Sequence, residues 1–423
     1  MSQPARYDAV VVGGGPAGSA AGSKLAAAGL RVAIIEKEKF PRFSIGESLL
    51  PHGNSLLKEL GVWERVENSG FMRKYGAEFC TADKSRLRRF WFAQNLGPAL
   101  EYTYQVERAK FDELLLDNAR ESGCQVMEET KVVGVENPDT ATMEVLCEGP
   151  SGAFKIQTGW IVDASGRSAF AGQFLRIPRK RPQKNRRIAI YGHFENVLRN
   201  GGKAEGHITI ARIKGGWFWL IPLANNKTSV GLVIPSSELR DNGKKDLEEI
   251  FAQALQAAPE VADRMRHSNR LGQLKATGDY SWKFPTFAKR RIILTGDAAG
   301  FIDPIFSSGV MIALKSGIQA AALISRAKKE GRGLSHWDRF TYTFQVSRWM
   351  HQYARIIKVF YDRAGFEVFM NPSPFLQIPL SIARLVGGET KMNALDKLRL
   401  LAFQWICRFQ KIIPIAPSIP SLR

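Results

Sequence analysis

The chain has 423 residues, and 60 Lys+Arg against 40 Asp+Glu leave a formal net charge of +20. With 44% hydrophobic and 24% charged residues it is globular, not disordered, and long enough for two or three domains. Cys80, Cys124, Cys147 and Cys407 stand far apart with no CxxC pair and the six histidines are scattered, which argues against a disulfide scaffold, a zinc ribbon or a metal site and suits a reducing cytoplasm. No apolar run reaches the roughly 18–20 residues that cross a bilayer, and no h-region or cleavage site precedes the first strand.

Tyr7 to Val12 is a short apolar run ending in glycines, and reads as a buried parallel strand. An Ala-rich helix follows to Ala28 and stops at Gly29; Arg31 to Ile35 is the second strand, with Glu36 at its end. This βαβ opening requires a parallel sheet. Phe79 to Tyr104 holds strand-like aromatic stretches, Ala109 to Ser122 a helix, and Val126 to Val135 with Ala141 to Glu148 reads as a strand pair. Trp160 to Ala164 is another short buried strand, and Ile188 to Ile234 alternates polar and apolar residues like an antiparallel sheet. Arg291 to Thr295 returns to a buried strand, Gly309 to Lys328 is a helix, and the chain from Leu334 is helical, aromatic and basic.

Gly13-Gly14-Gly15-Pro16-Ala17-Gly18 carries GxGxxG between strand and helix. Gly13 allows the tight turn, Gly15 lets a pyrophosphate approach the backbone, and Gly18 lets helix pack on strand. Phosphates then meet free N–H groups at a helix N-terminus. Glu36 lies 18 residues past Gly18, near the ~20 expected of an acid that binds a ribose 2′-OH. Two further strand ends, Asp163-Ala164-Ser165-Gly166 and Gly296-Asp297-Ala298-Ala299, supply the extra contacts that a ribityl arm uses, so FAD is expected. No second GxGxxG marks a separate NAD(P)H domain.

The expected fold is α/β. A discontinuous Rossmann-like FAD-binding domain occupies 1–175, with inserted strands at about 70–100, and returns at 286–330. An antiparallel-sheet substrate domain occupies 176–285, and a helical region 331–423.

At this point four stretches resemble the para-hydroxybenzoate-hydroxylase-like flavoproteins, and within them the flavin-dependent halogenases. Phe40 to Pro51 (FPRFSIGESLLP) is similar to the loop after the first βαβ unit, and Phe71 to Ala77 (FMRKYGA) to the segment with the family's catalytic lysine. Trp217 to Pro222 matches WxWxIP, and Phe301 to Gly309 matches FxxPxxSxG. The tryptophan-halogenating branch carries a glutamate where this chain has Phe306, so the resemblance points to the phenol- and pyrrole-modifying branch.

The resemblance implies that reduced FAD and dioxygen oxidise chloride or bromide to hypohalous acid. Lys74 would hold the oxidised halogen, as hydrogen-bond donor or as a chloramine, and burial among neighbours such as Phe71 and Tyr75 should lower its pKa. Trp217 and Trp219 share one strand face and would keep organic substrate from the flavin. Ser308 and Gly309, opening a helix, offer backbone donors to the halide or to the flavin. Arg42 and Arg108 suit the diphosphate. Gly46, Glu47, Ser48, Asp297 and Pro304 complete the expected cofactor contacts. Lys74 read by spacing alone is one more surface lysine, and the two indoles alone are a sheet core.

A hydroxylase or a geranylgeranyl-reductase-like flavoprotein on the same scaffold is the competing reading, which paired tryptophans oppose. A flavin reductase would supply reduced FAD. Nucleic acid has the charge in its favour but no recognition motif. The surplus lies outside the flavin motifs, at Lys84–Arg89, Arg176–Arg187, Arg326–Arg332 and the tail from Lys391. The tail's apolar and basic residues suit an acidic carrier protein presenting the aromatic substrate, or peripheral contact with a membrane.

Overall fold

A computed structural model describes residues 4–175, 177–178, 186–238, 246–278, 282–372 and 375–422. The basic run at 176–187 therefore lies outside the described residues except at positions 177, 178, 186 and 187.

The glycine-flanked run at the N-terminus forms the strand Ala5–Val12, buried in its last four residues. It sits at the centre of a mixed seven-stranded sheet in the order Gln125–Met127, Val32–Ile35, Ala5–Val12, Gly152–Asp163, Met143–Gly149, Lys131–Glu136, with Ile292–Leu294 also on Gly152–Asp163. The pairings are parallel except at the Lys131–Glu136 edge, where Met143–Gly149 runs antiparallel to both Gly152–Asp163 and Lys131–Glu136. Helices Pro16–Ala27, Arg108–Glu121 and Gly309–Lys329 follow from the Ala-rich and periodic segments. The last is long and apolar enough to cross a membrane by composition, yet Gly317 lies so close to Ala17 that a Cβ there would meet the Ala17 carbonyl at 2.3 Å. Its apolar face is used inside the protein.

One expected strand pair is corrected. Gln125–Met127 pairs in parallel with Val32–Ile35, while Lys131–Glu136 pairs with Met143–Gly149. The break falls at Glu129, whose positive φ of 51° turns the chain between the two pairings.

The second seven-stranded sheet runs Asn269–Gly278, Arg187–Glu195, Lys227–Pro235, Trp217–Pro222, Ile208–Arg212, Gly76–Thr81, Leu87–Trp91. It is antiparallel except where Ile208–Arg212 pairs in parallel with Gly76–Thr81. Residues 76–91, distant in sequence, thus complete it. Its two faces separate by the two-residue period. Phe218 and Leu220 join a core under helices Leu247–Gln256 and Pro259–Met265, while Trp217, Trp219 and Ile221 face the main core.

The C-terminal region is helical, as expected: His336–Tyr361, Arg363–Met370, Ile378–Val386 and Ala394–Phe409. The last presents Leu395, Leu398, Leu401, Trp405 and Phe409 to solvent, three or four residues apart. That spacing is one helical stripe.

Candidate active site

The carboxyl ends of the parallel strands converge, which is where open α/β sheets bind ligands. Gly13 turns the chain at φ +105°, a conformation that suits glycine. A Cβ on Gly18 would lie 1.8 Å from the Gly13 carbonyl oxygen, so the helix can cross the strand this closely only without a side chain. Glu36 is buried and oriented, accepting the N–H of Gly14 at 2.7 Å and of Glu38 at 3.0 Å. Helix Pro16–Ala27 begins with no side-chain cap, leaving its first N–H groups for an anion. A glycine cradle, a fixed carboxylate and an uncapped helix are what a dinucleotide needs, and FAD fits them.

Loop 40–51 connects the cradle to the rest of the site. Arg42 brings a guanidinium nitrogen within 3.3 Å of where a Gly15 Cβ would stand, so it is the arginine beside the phosphate turn. Arg108, expected to share that role, is spent inside the protein. It donates to both carboxylate oxygens of Asp112, at 2.7 and 2.8 Å, and to the Ile45 carbonyl at 2.6 Å. Its Nη1 lies 3.1 Å from the Cβ position of Gly46. Glu47 is buried, and its carboxylate meets Nε2 of His193 at 2.6 Å. Asp297 stands in a recess at the strand end, and desolvation pushes its carboxyl up to about 6 while Arg108 and Arg167 oppose the rise.

Lys74 is not on the surface. It ends the short strand Met72–Lys74, is 1% exposed, and donates to Ser48 Oγ at 2.8 Å and to the Leu49 carbonyl at 2.9 Å. Phe92 lies under the ammonium at 5.5 Å. Among the described residues no carboxylate forms an ion pair with it. Burial without a counter-charge favours the neutral amine, and its pKa falls to about 7. At neutral pH both the ammonium and the amine are therefore populated.

Trp217 and Trp219 lie on one face, ring centroids 5.8 Å apart. Trp219 donates its indole N–H to Ser229 at 3.2 Å and packs beside Tyr191. Pro304 starts a short turn, Ser307 adopts a left-handed φ of 54°, and buried Ser308 precedes helix Gly309–Lys329, whose N-terminus has no side-chain cap. Those free N–H groups and the helix dipole suit an anion. Phe306 is buried against Phe79 and Phe360, an apolar setting in which a carboxylate would be costly.

Sequence reasoning missed three residues. His193 on Glu47 has no motif around it. Asp303 and Tyr361 form a hydrogen bond across 58 residues, a separation at which no spacing rule operates. The Arg108–Asp112 pair did leave a signal, the i,i+4 spacing of opposite charges on a helix.

Comparison with known proteins agrees with this geometry. The FAD binding domain family model matches residues 6–339. The 1H-pyrrole-2-carbonyl-[peptidyl-carrier protein] chlorinase of Pseudomonas fluorescens is 31% identical over 427 residues, spanning 93% of this chain and 92% of that one. The tryptophan 2-halogenase of Chondromyces crocatus is 36% identical over 337 residues, spanning 77% of this chain and 62% of that one. The crystal structure of the flavin-dependent brominase Bmp2 superposes with a TM-score of 0.84 at 28% identity, covering 96% of this chain and 100% of that one. With the cradle for FAD in place and relatives of this kind along nearly the whole length, the chain belongs to the FAD-dependent halogenases.

Proposed function

We propose that the protein delivers an oxidised halogen through Lys74 to an electron-rich aromatic ring, a phenol or a pyrrole, carried by an acidic carrier protein in the cytoplasm. The observation that carries this reading is the buried, carboxylate-free Lys74 with a pKa of about 7. Reduced FAD, when bound, supplies with dioxygen the oxidation of halide to hypohalous acid, and a separate flavin reductase would furnish it. Gly13, Gly15, Gly18, Glu36, Arg42 and Asp297 would hold it. Lys74 as ammonium donates a hydrogen bond to hypohalous acid. As amine it attacks the halogen: the N–halogen bond forms as the O–halogen bond breaks, and the departing hydroxide takes the amine proton as water. Trp217 and Trp219 would bar the ring from the flavin, and the N–H groups at Ser308 and Gly309 would receive the halide. Phe306, in place of a glutamate, supports a ring other than free tryptophan.

A carrier is favoured by the surface near the C-terminus. A cavity of about 350 Å³ between helices His336–Tyr361 and Ala394–Phe409 has an apolar floor and is rimmed by Arg348, Arg355 and Lys397. Among the described residues no acidic side chain lines it. An acidic helix with an apolar stripe matches it in shape and charge, and a flat anionic bilayer matches the charge but not the concavity.

The test supplies purified protein with FAD, a flavin reductase, NADH, oxygen and bromide, and offers pyrrole-2-carbonyl carrier protein beside free phenol. Halide-dependent bromination of the carrier-bound ring, lost in Arg348→Glu/Arg355→Glu, supports the reading. Hydroxylated or reduced product without halide dependence overturns the halogenase chemistry. A rate on free phenol equal to that on the carrier, neither falling with salt, overturns the carrier. Binding to anionic vesicles in its stead assigns the surface to membrane.

A further inference from the structure

The two segments WxWxIP and FxxPxxSxG are 79 residues apart at their nearest, yet one side chain joins them. Tyr361, at the end of helix His336–Tyr361, accepts the indole N–H of Trp217 at 2.7 Å and donates its own O–H to Asp303 Oδ2 at 2.7 Å. Asp303 is fixed in turn, its Oδ1 accepting the Ile305 N–H at 3.1 Å as the cap of the turn that leads to Ser308. Each link is buried or partly buried, and Trp217 is 2% exposed.

The tyrosine is held from every side. Arg187 lies 3.6 Å over its ring and donates to the carbonyl of Gly215, two residues before Trp217. Arg212, directly opposite Trp217 on the neighbouring strand, donates to the carbonyls of Phe360, Tyr361 and Asp362. It thereby caps the helix end and ties it to the strand pair. Phe360 packs edge-on to both Trp217 and Phe306. Few rotamers are left to Tyr361, and a phenol so confined transmits the position of one partner to the other.

We propose that Tyr361 is a positioning residue for halogen transfer. By bonding Trp217 to Asp303 it fixes the indole that would bar the ring from the flavin against the loop that leads to Ser308, and keeps oxidised halogen from escaping before it reaches Lys74. The proposal rests on the halogenase reading, in which these indoles would bar the ring from the flavin. Its chemistry is hydrogen bonding only. An unbonded indole would be free to rotate about its two side-chain torsions.

Two measurements test it. In protein labelled with 15N at the indoles, the Trp217 N–H, assigned by Trp217→Phe, should be downfield and protected from exchange; Tyr361→Phe should bring its exchange at least tenfold closer to that of a free indole. In a single turnover with one equivalent of reduced FAD and bromide, monochlorodimedone should be halogenated at least fivefold faster by Tyr361→Phe than by wild type. Trp217→Phe, which leaves the Tyr361–Asp303 bond in place, should leak similarly, and the double variant no more than either single one. An unchanged indole signal in Tyr361→Phe overturns the proposal, as does lost protection with an unchanged trapping rate. If neither wild type nor either variant halogenates the trap or a ring, the halogenase reading fails, and the indole exchange alone then decides whether Tyr361 holds Trp217.

Discussion

Replacing Lys74 with methionine should remove halogen transfer and at the same time stabilise the fold. A lysine that titrates at about 7 in place of 10.5 opposes folding in the pH range where the unfolded chain binds more protons than the folded one. The cost is fully present below pH 7 and fades as pH rises towards 10.5, so stability increases with pH across that window. At ~1.4 kcal/mol per pH unit of displacement, it is about 4 kcal/mol at pH 7 and about 2 kcal/mol at pH 9. Methionine keeps the buried stem but leaves Ser48 Oγ and the Leu49 carbonyl without their donor, a loss of roughly 1 kcal/mol each. The variant should then be about 2 kcal/mol more stable than wild type at pH 7 and near parity at pH 9. Urea unfolding of FAD-saturated protein at the two pH values measures this, and the difference between them does not depend on the hydrogen-bond correction. A gap of the same size at pH 7 and pH 9 would refute the reasoning, because it would mean that the amine does not titrate between them. Halogenation by wild type should rise with pH through about 7 and level off above it, as the amine loses its proton.

Gly18→Ala should abolish FAD retention, because its Cβ would stand 1.8 Å from the Gly13 carbonyl; flavin absorbance after gel filtration reads this. Arg108→Met should cost about 3 kcal/mol or more in unfolding free energy, since it leaves the fully buried Asp112 with only the longer contact to Arg42 at 3.4 Å. Adding Asp112→Leu to that variant should recover most of the loss, which separates a structural ion pair from a direct hold on the diphosphate. Gly231→Val should disturb Trp219 selectively: a Cβ there would fall 2.1 Å from the indole ring. The expected readout is increased free hypohalous acid with FAD affinity unchanged within twofold.

The parts of the site legible in the sequence were those governed by local geometry. GxGxxG is a steric statement about a strand, a turn and a helix, and Gly18 meets Gly13 as that statement requires. The two-residue period placed Trp217 and Trp219 on one face before any partner was known. Lys74 differs. Spacing alone described a surface lysine, and only the resemblance to a family pointed inward, because its burial depends on loop 40–51 folding over it. The Val126–Val135 segment misled for the opposite reason: its apolar ends resemble one strand, and the turn at Glu129, amid the polar residues Glu128 to Lys131, has no glycine or proline to announce it. Tyr361 was invisible, since its partners lie 58 and 144 residues away and its neighbours make no motif.

The +20 charge with which the sequence opens is now partly placed. Arg108, Arg264 and Arg212 neutralise or cap groups inside the protein. Arg348, Arg355 and Lys397 ring a cavity whose lining, among the described residues, includes no acidic side chain, which is the surface proposed to receive a carrier.

The most direct measurement compares wild type with Lys74→Met, both loaded with FAD, under a reductase, NADH and oxygen, with and without bromide, on pyrrole-2-carbonyl carrier protein. Mass spectrometry should find a brominated ring only with wild type and only with bromide, while both proteins retain FAD and consume oxygen. Bromination undiminished in Lys74→Met, or an oxygenated ring formed without bromide, would contradict the account.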